Sequence, residues 1–163
     1  MNRQRAQFLV FSCSILLAFL LQLTPLPSAF LPFKPYWIAL VLIYWAIEAP
    51  ERIGLGFAFL LGLAGDILTG QLLGEQALRL IILAFIVLRF RSRLRFFPMG
   101  QQALAVLALL LNDRIVVVIV RGFSGDPIPG AGFWFAPLFG MLAWPFVFLL
   151  LDDVRARLRA KDS

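Results

Sequence analysis

The sequence predicts an all-α polytopic membrane protein, a single transmembrane domain over residues 1–163 with about six helices in one bundle. Three observations predict it. Hydrophobic residues make up 61% of the chain, 17 of them Phe, and the mean hydropathy is +0.90, more apolar surface than a soluble domain of this length can hide. The apolar residues fall into six runs separated by polar or Pro/Gly-rich breaks. Lys and Arg gather in alternate breaks, as they do when loops lie on opposite sides of a membrane.

The runs span roughly 6–24, 35–49, 54–70, 75–91, 99–121 and 132–151. Several are shorter than the ~20 residues a straight span prefers, so tilting or re-entry is open to them. The first follows Arg3 and Arg5 in the manner of a signal peptide, but TPLPSAFLPFKP offers no convincing small-residue cleavage site, and the run reads as a retained helix. In the third run Gly62, Asp66 and Gly70 recur every four positions, joined by Gly65 and Thr69. Such a stripe lets another helix backbone come close, from within the chain or from a partner. The sixth run contains Pro137 and Trp144-Pro145, and each proline removes a backbone donor and favours a bend. The tail DDVRARLRAKDS extends that last helix, with Arg155 and Arg159 on one face.

Counting basic residues sets the orientation. One side collects Arg3, Arg5, Arg52, Arg89, Arg91, Arg93, Arg95, Arg155, Arg157, Arg159 and Lys161, whereas the other has Lys34 and Arg121. This bias places both termini in the cytoplasm, with an even number of spans. The net charge of +6 therefore reads as a topology signal rather than a nucleic-acid footprint. RFRSRLRFF, residues 89–97, is the most basic loop, and it either marks topology alone or binds acidic lipid headgroups or an acidic partner surface. The outside loops, TPLPSAFLPFKP and GFSGDPIPGAG, favour turns over any folded module.

Charges inside the runs need partners, because an isolated ionised group in hydrocarbon is expensive. Asp66 lies about one turn from the end of the third run and Arg79 about one turn from the start of the fourth, so the two share a depth. Asn112, Asp113 and Arg114 interrupt the fifth run a turn or so deeper. The economical expectation is one network: Asp66 meets Arg79 or Arg114, Asp113 meets the remaining arginine, and Asn112 bridges. It either locks helix order or lines a polar cavity open to the outside, for a substrate or a partner helix.

Catalytic chemistry finds no foothold. The chain has no histidine, no phosphate-cradling glycine loop with its lysine, and no serine beside a plausible base. Cys13 has no second cysteine or histidine with which to hold a metal, and it reads as a small core hydrophobe. Asp66 and Asp113 could suggest intramembrane aspartate proteolysis, but nearby arginines would hold both ionised instead of letting them share a proton. The expectation is a non-enzyme without cofactor or metal.

The stretch PYWIALVLIYWAIEAPERIGLGFAFLLGLAGDILTGQLLGEQA, residues 35–77, resembles the rod shape-determining protein MreD family. The resemblance rests on the apolar second run ending at Tyr44-Trp45 and Pro50, then on Gly62, Asp66, Gly70 and Gly74 in the glycine-rich third run. Gln101-Gln102-Ala103-Leu104 opening the fifth run, Asp113 within it and Trp144-Pro145 in the last extend the likeness over most of the chain. It implies a bundle similar to the substrate-binding subunits of energy-coupling-factor transporters. It also implies an inner-membrane subunit of the cell-elongation machinery that binds a single-span MreC-like partner and, with it, MreB, RodA and its penicillin-binding protein. Gly62, Asp66, Gly70 and Asp113 are the expected partner-binding residues. A small-molecule binding or transport subunit, using an outer-half polar cavity, is the alternative.

The charge bias makes a direct prediction about topology. Reporter fusions within residues 89–97 and at the C-terminus should give the same cytoplasmic signal, and fusions within residues 122–132 the opposite one. A C-terminal fusion reporting from outside would remove the six-span arrangement.

Overall fold

A computed structural model of the chain describes residues 3–25, 27, 29, 30, 34–70, 73–127 and 130–161. Gln71, Leu72, Ser163 and parts of both expected outside loops lie outside the described residues, as do the side chains of Arg159 and Lys161. The elements are α1 (Arg3–Leu23), α2 (Trp37–Glu48), α3 (Leu55–Thr69), α4 (Glu75–Phe96), α5 (Met99–Phe123) and α6 (Ala136–Lys161). Short 3-10 turns at Pro50–Arg52 and Ala131–Trp134 precede α3 and α6. All six expected runs are helices, and the chain is an all-α, polytopic membrane bundle. α4 runs five residues past its expected end, so that residues 89–96 of the expected basic loop are helical, because its apolar stretch continues into an Arg-rich turn that is a good helix former; α6 continues through the tail to Lys161, as expected.

Three helical stretches, Gln4–Leu23, Met99–Phe123 and Gly132–Leu158, are long and apolar enough to cross a membrane. α2 is not: its 12 residues reach only about 18 Å, against a hydrocarbon thickness of ~30 Å. It is instead the axis of the bundle. Ile38 through Ile47 are all buried, with α1, α4 and α6 packed around them, which is why this helix is apolar on every face rather than along one stripe. Phe11 of α1 meets Trp45 edge-on at 5.2 Å, and Phe148 of α6 meets Tyr44 at 5.6 Å.

A short helix buried at both ends must find partners for its orphan backbone groups. The Trp37 amide donates to Gln22 Oε1 of α1 at 2.9 Å, and Arg91 Nε of α4 donates to the Ile47 carbonyl at 2.7 Å. Lys34, just before α2, donates to the Gln22 and Thr24 carbonyls at the end of α1. Partial burial there pulls the lysine pKa below its ordinary value. The bundle surface is apolar in the opposite sense, with Leu20, Leu60, Ile67, Leu142 and Phe146 turned outward, as expected when lipid is the solvent.

Two expectations need correcting here. Cys13 is exposed rather than in the core, because α1 turns that face away from α2 and its neighbour Ser14 inward, where Ser14 Oγ accepts from Trp45 Nε1 at 2.8 Å. Pro137 lies in the first turn of α6, where its missing N–H has no helical partner to lose, so only Pro145 is inside the helix. Trp144 beside it is fully buried and donates to Gln102 Oε1 at 3.0 Å.

α3 and α4 form the tightest pair. A Cβ built on Gly62 would lie 2.3 Å from Ala77 Cα, so glycine is what allows the two backbones to meet. Gly62→Leu should therefore lower membrane abundance of the chain itself, by an overpacking penalty of at least about 1–3 kcal/mol. The same substitution at Gly54, which has open space around it, should leave abundance unchanged. Equal abundance of the two variants would show that the α3–α4 contact tolerates separation.

Candidate functional site

The polar residues picked from the sequence converge at the end of the bundle opposite the termini, but with different partners from those expected. Asp66 stands in the last turn of α3. Its Oδ2 accepts from the Gly74 amide at 2.8 Å and its Oδ1 from the Gln76 amide at 2.9 Å. The carboxylate thus satisfies first-turn donors of α4 and sits at the positive end of that helix. Gly70 ends α3 at φ 70°, and Gly74 precedes α4 at φ 97°, left-handed conformations that favour glycine and that fold the chain back within reach of Asp66.

Arg79 lies one turn further along α4 and turns to α5. Its Nε and Nη2 donate to Asp113 Oδ1 and Oδ2 at 2.8 and 2.7 Å. This two-pronged pair is the strongest geometry open to a guanidinium and a carboxylate, and its side chains are 6% and 2% exposed. The expected Asp66–Arg79 pairing is therefore wrong. The Gly74 and Gln76 amides of α4 engage both Asp66 oxygens, and the Arg79 guanidinium is taken up by Asp113.

Tyr36 and Gln76, not singled out in the sequence, join the two halves. The Arg79 guanidinium lies 4.4 Å from the centroid of the Tyr36 ring, a cation–π contact strengthened by exclusion of water. Tyr36 Oη donates to Gln76 Oε1 at 2.9 Å, and Gln76 Nε2 donates to Thr69 Oγ1 at 3.0 Å. Gly65 makes room for this carboxamide, since a Cβ there would lie 2.6 Å from Gln76 Oε1. One signal could have revealed Gln76: it precedes Arg79 by three positions on the same face of α4. Tyr36 gave no such signal.

Arg114 and Asn112 do not enter this lattice. Arg114 stacks 4.5 Å from the centroid of Phe133 in the 3-10 turn before α6, because adjacent helical positions diverge by about 100° and Asp113 already faces α4. Asn112 makes no bridge; its Nδ2 is buried without a hydrogen-bond partner and lines a groove between α4 and α5. Glu75 is buried, with Arg121 3.5 Å away. Of the expected partner-binding residues, Gly62, Asp66 and Asp113 all face α4 of the same chain, and Gly70 caps α3. Tyr36, Gln76, Arg79 and Asp113 fill the region of the expected outer cavity, each at most 7% exposed.

Fold and site together define a class: a membrane helix bundle whose intramembrane carboxylates at this end close on groups of the same chain. The model of a family described as rod shape-determining protein MreD matches residues 2–154. A protein of Haemophilus influenzae named "Rod shape-determining protein MreD" is 34% identical over 147 residues, covering 88% of this chain and 88% of that protein. The chain belongs to the MreD family of rod shape-determining membrane proteins. No solved structure matches it.

The lattice predicts a specific pattern of rescue. Arg79→Ala or Asp113→Ala should each destabilise the bundle by about 3–5 kcal/mol, since each leaves a buried charge unpaired. The exchange Arg79→Asp with Asp113→Arg should recover part of the lost abundance in membranes. Exchanging Asp66 with Arg79 should recover none, because Asp66 serves backbone amides; recovery there would restore the pairing rejected above.

Proposed function

We propose that this chain is a non-enzymatic inner-membrane subunit of the cell-elongation machinery. In this reading it scaffolds a single-span MreC-like partner and, through it, MreB, RodA and its penicillin-binding protein. Both termini and the basic 89–97 segment at the end of α4 face the cytoplasm, in keeping with the eleven-to-two distribution of basic residues. There the segment also meets acidic membrane lipids.

The observation that carries the reading is the closure of the polar lattice, taken with membership of a shape-determining family. Asp113 is engaged through both oxygens by Arg79, and Asp66 through both of its own by α4 amides. Neither carboxylate is left to activate water or receive a substrate proton. Work by such a bundle falls to its apolar helix faces and the basic end of α4, which suit binding of other membrane proteins. The packed-closed lattice gives no support to small-molecule transport.

The test is co-expression with the MreC-like protein followed by purification in mild detergent. Near-stoichiometric recovery of the partner is expected, with recovery retained after the soluble part of the partner is removed by proteolysis. A chain that purifies folded and leaves the partner behind would overturn the scaffold reading.

A further inference from the structure

The apolar belt that faces lipid is not of one height all round the bundle. α1, α5 and α6 carry stretches long and apolar enough to cross a membrane, but the α3–α4 side does not. α3 has 15 residues, about 22 Å along its axis, and turns Phe59, Leu60, Ile67 and Leu68 outward. Exposed Glu51 and Gly54 stand before it, and left-handed Gly70 ends it. α4 is longer, but its outward stripe of Leu78 and Phe85 runs into exposed Arg89, seven and then four residues on. From Glu75 to Arg89 the axial rise is only about 21 Å. Arg89 and Arg93 are exposed and enter no ion pair among the described residues, whereas Arg91 between them turns inward to the Ile47 carbonyl. That contact sets the arginines level with the end of α2, about 9 Å short of the turn at Phe97. Because the α3 and α4 backbones meet at Gly62 and Ala77, the two short belts lie side by side.

We propose that the α3–α4 face is a lipid-interaction surface that thins the bilayer beside it, selecting short-chain phospholipids whose phosphates meet Arg89 and Arg93. A hydrocarbon layer of ~30 Å exceeds this belt by about 8 Å. Tilting does not close the gap, since a tilted helix reaches less far along the bilayer normal. Sinking the ends of α3 would carry Glu51 and the backbone of the α2–α3 turn into hydrocarbon, where nothing satisfies them. Arginine side chains recover part of the deficit by reaching outward, but α3 has no basic residue in its last turn and no acidic one in its first. The lipid therefore moves instead. α1, α5 and α6 keep the full height, so the chain holds a bilayer of unequal thickness across its own width. Mismatch of this kind sorts proteins between membrane regions and favours neighbours with a short belt of their own.

The inference needs no partner protein and is tested on this chain alone. In a Cys13→Ala background, a single bimane-labelled cysteine would be placed at Leu60→Cys on α3, Phe85→Cys on α4 or Leu142→Cys on α6, all outward-facing positions. Each protein is reconstituted into dioleoylphosphatidylcholine vesicles containing phosphatidylglycerol. Quenching by brominated dimyristoleoyl and dierucoyl lipids, each normalised to its own complete quenching, then gives every face its own chain-length preference. Short chains should be favoured about two- to fivefold at Leu60→Cys and Phe85→Cys and not at Leu142→Cys. Arg89→Leu combined with Arg93→Leu raises the α4 stripe to about 30 Å. It should abolish the preference at Phe85→Cys while Leu60→Cys keeps most of its own. Equal preferences on all three faces overturn the thinned belt, as does a Phe85→Cys preference indifferent to the arginine exchange. So does a Leu60→Cys label that no lipid quenches, for then protein, a second copy of this chain included, covers the face. If the double exchange lowers abundance, the comparison of faces with both arginines in place decides.

Discussion

The buried pair of Arg79 and Asp113 is the constraint on which the rest of this bundle depends. A guanidinium and a carboxylate in hydrocarbon are each unfavourable alone, and together they are acceptable only with close to ideal geometry and further partners for the remaining polar atoms. That demand explains the neighbours. Tyr36 covers the guanidinium face, Gln76 holds the Tyr36 hydroxyl, Thr69 holds Gln76, and Asp66 holds the amides at the start of α4. Four elements, α3, α4, α5 and the entry to α2, are registered against one another by this chain of contacts.

A second, looser set of polar contacts does similar work at the end that carries the termini. Arg155 of α6 lies 3.6 Å from Glu48 and donates to the Tyr44 hydroxyl at 3.2 Å, while Gln102 of α5 joins the Leu94 carbonyl of α4 to the Trp144 indole of α6. α2 passes between the two sets. Because it is too short to span and apolar on every face, its position has to be imposed by groups at its ends, and Gln22 and Arg91 supply them. The bundle is thus organised around a buried helix with no polar face of its own.

Helix number and class were legible in the sequence because apolar runs and their breaks report on solvation, which lipid and water judge in opposite ways. The meeting of the intramembrane charges was legible in part. Asp66, Arg79 and Asp113 do converge, yet depth constrains only one coordinate, and the choice of partner depends on rotation about each helix and on backbone donors that no side-chain pattern displays. Asp66 shows the point: read as an acid it needs a cation, but in place it serves a helix terminus. The Gly62 stripe shows another limit, since small residues announce a close contact without saying whose backbone makes it. Here α4 of the same chain occupies it. Tyr36 and Trp144 stand in apolar runs like any other aromatics, and the significance of their polar atoms lies in Gln76 and Gln102, which only the fold brings beside them.

Polar atoms left unsatisfied inside the chain mark the limit of this closure. A bundle that pairs Asp66, Arg79 and Asp113 so fully, and that seats even the Tyr36 hydroxyl, leaves Asn112 Nδ2 and Glu75 Oε1 as buried polar atoms without a hydrogen-bond partner among its described residues. The Asn112 nitrogen is removed from water on the stretch of α5 that carries Ala105 and Ala108, and Glu75 Oε1 has only the Arg121 guanidinium, 3.5 Å away. An unpaired buried amide costs free energy in the folded chain. The bundle sustains that cost because the Arg79–Asp113 pair and the Asp66 cap on α4 hold the helices in place around it.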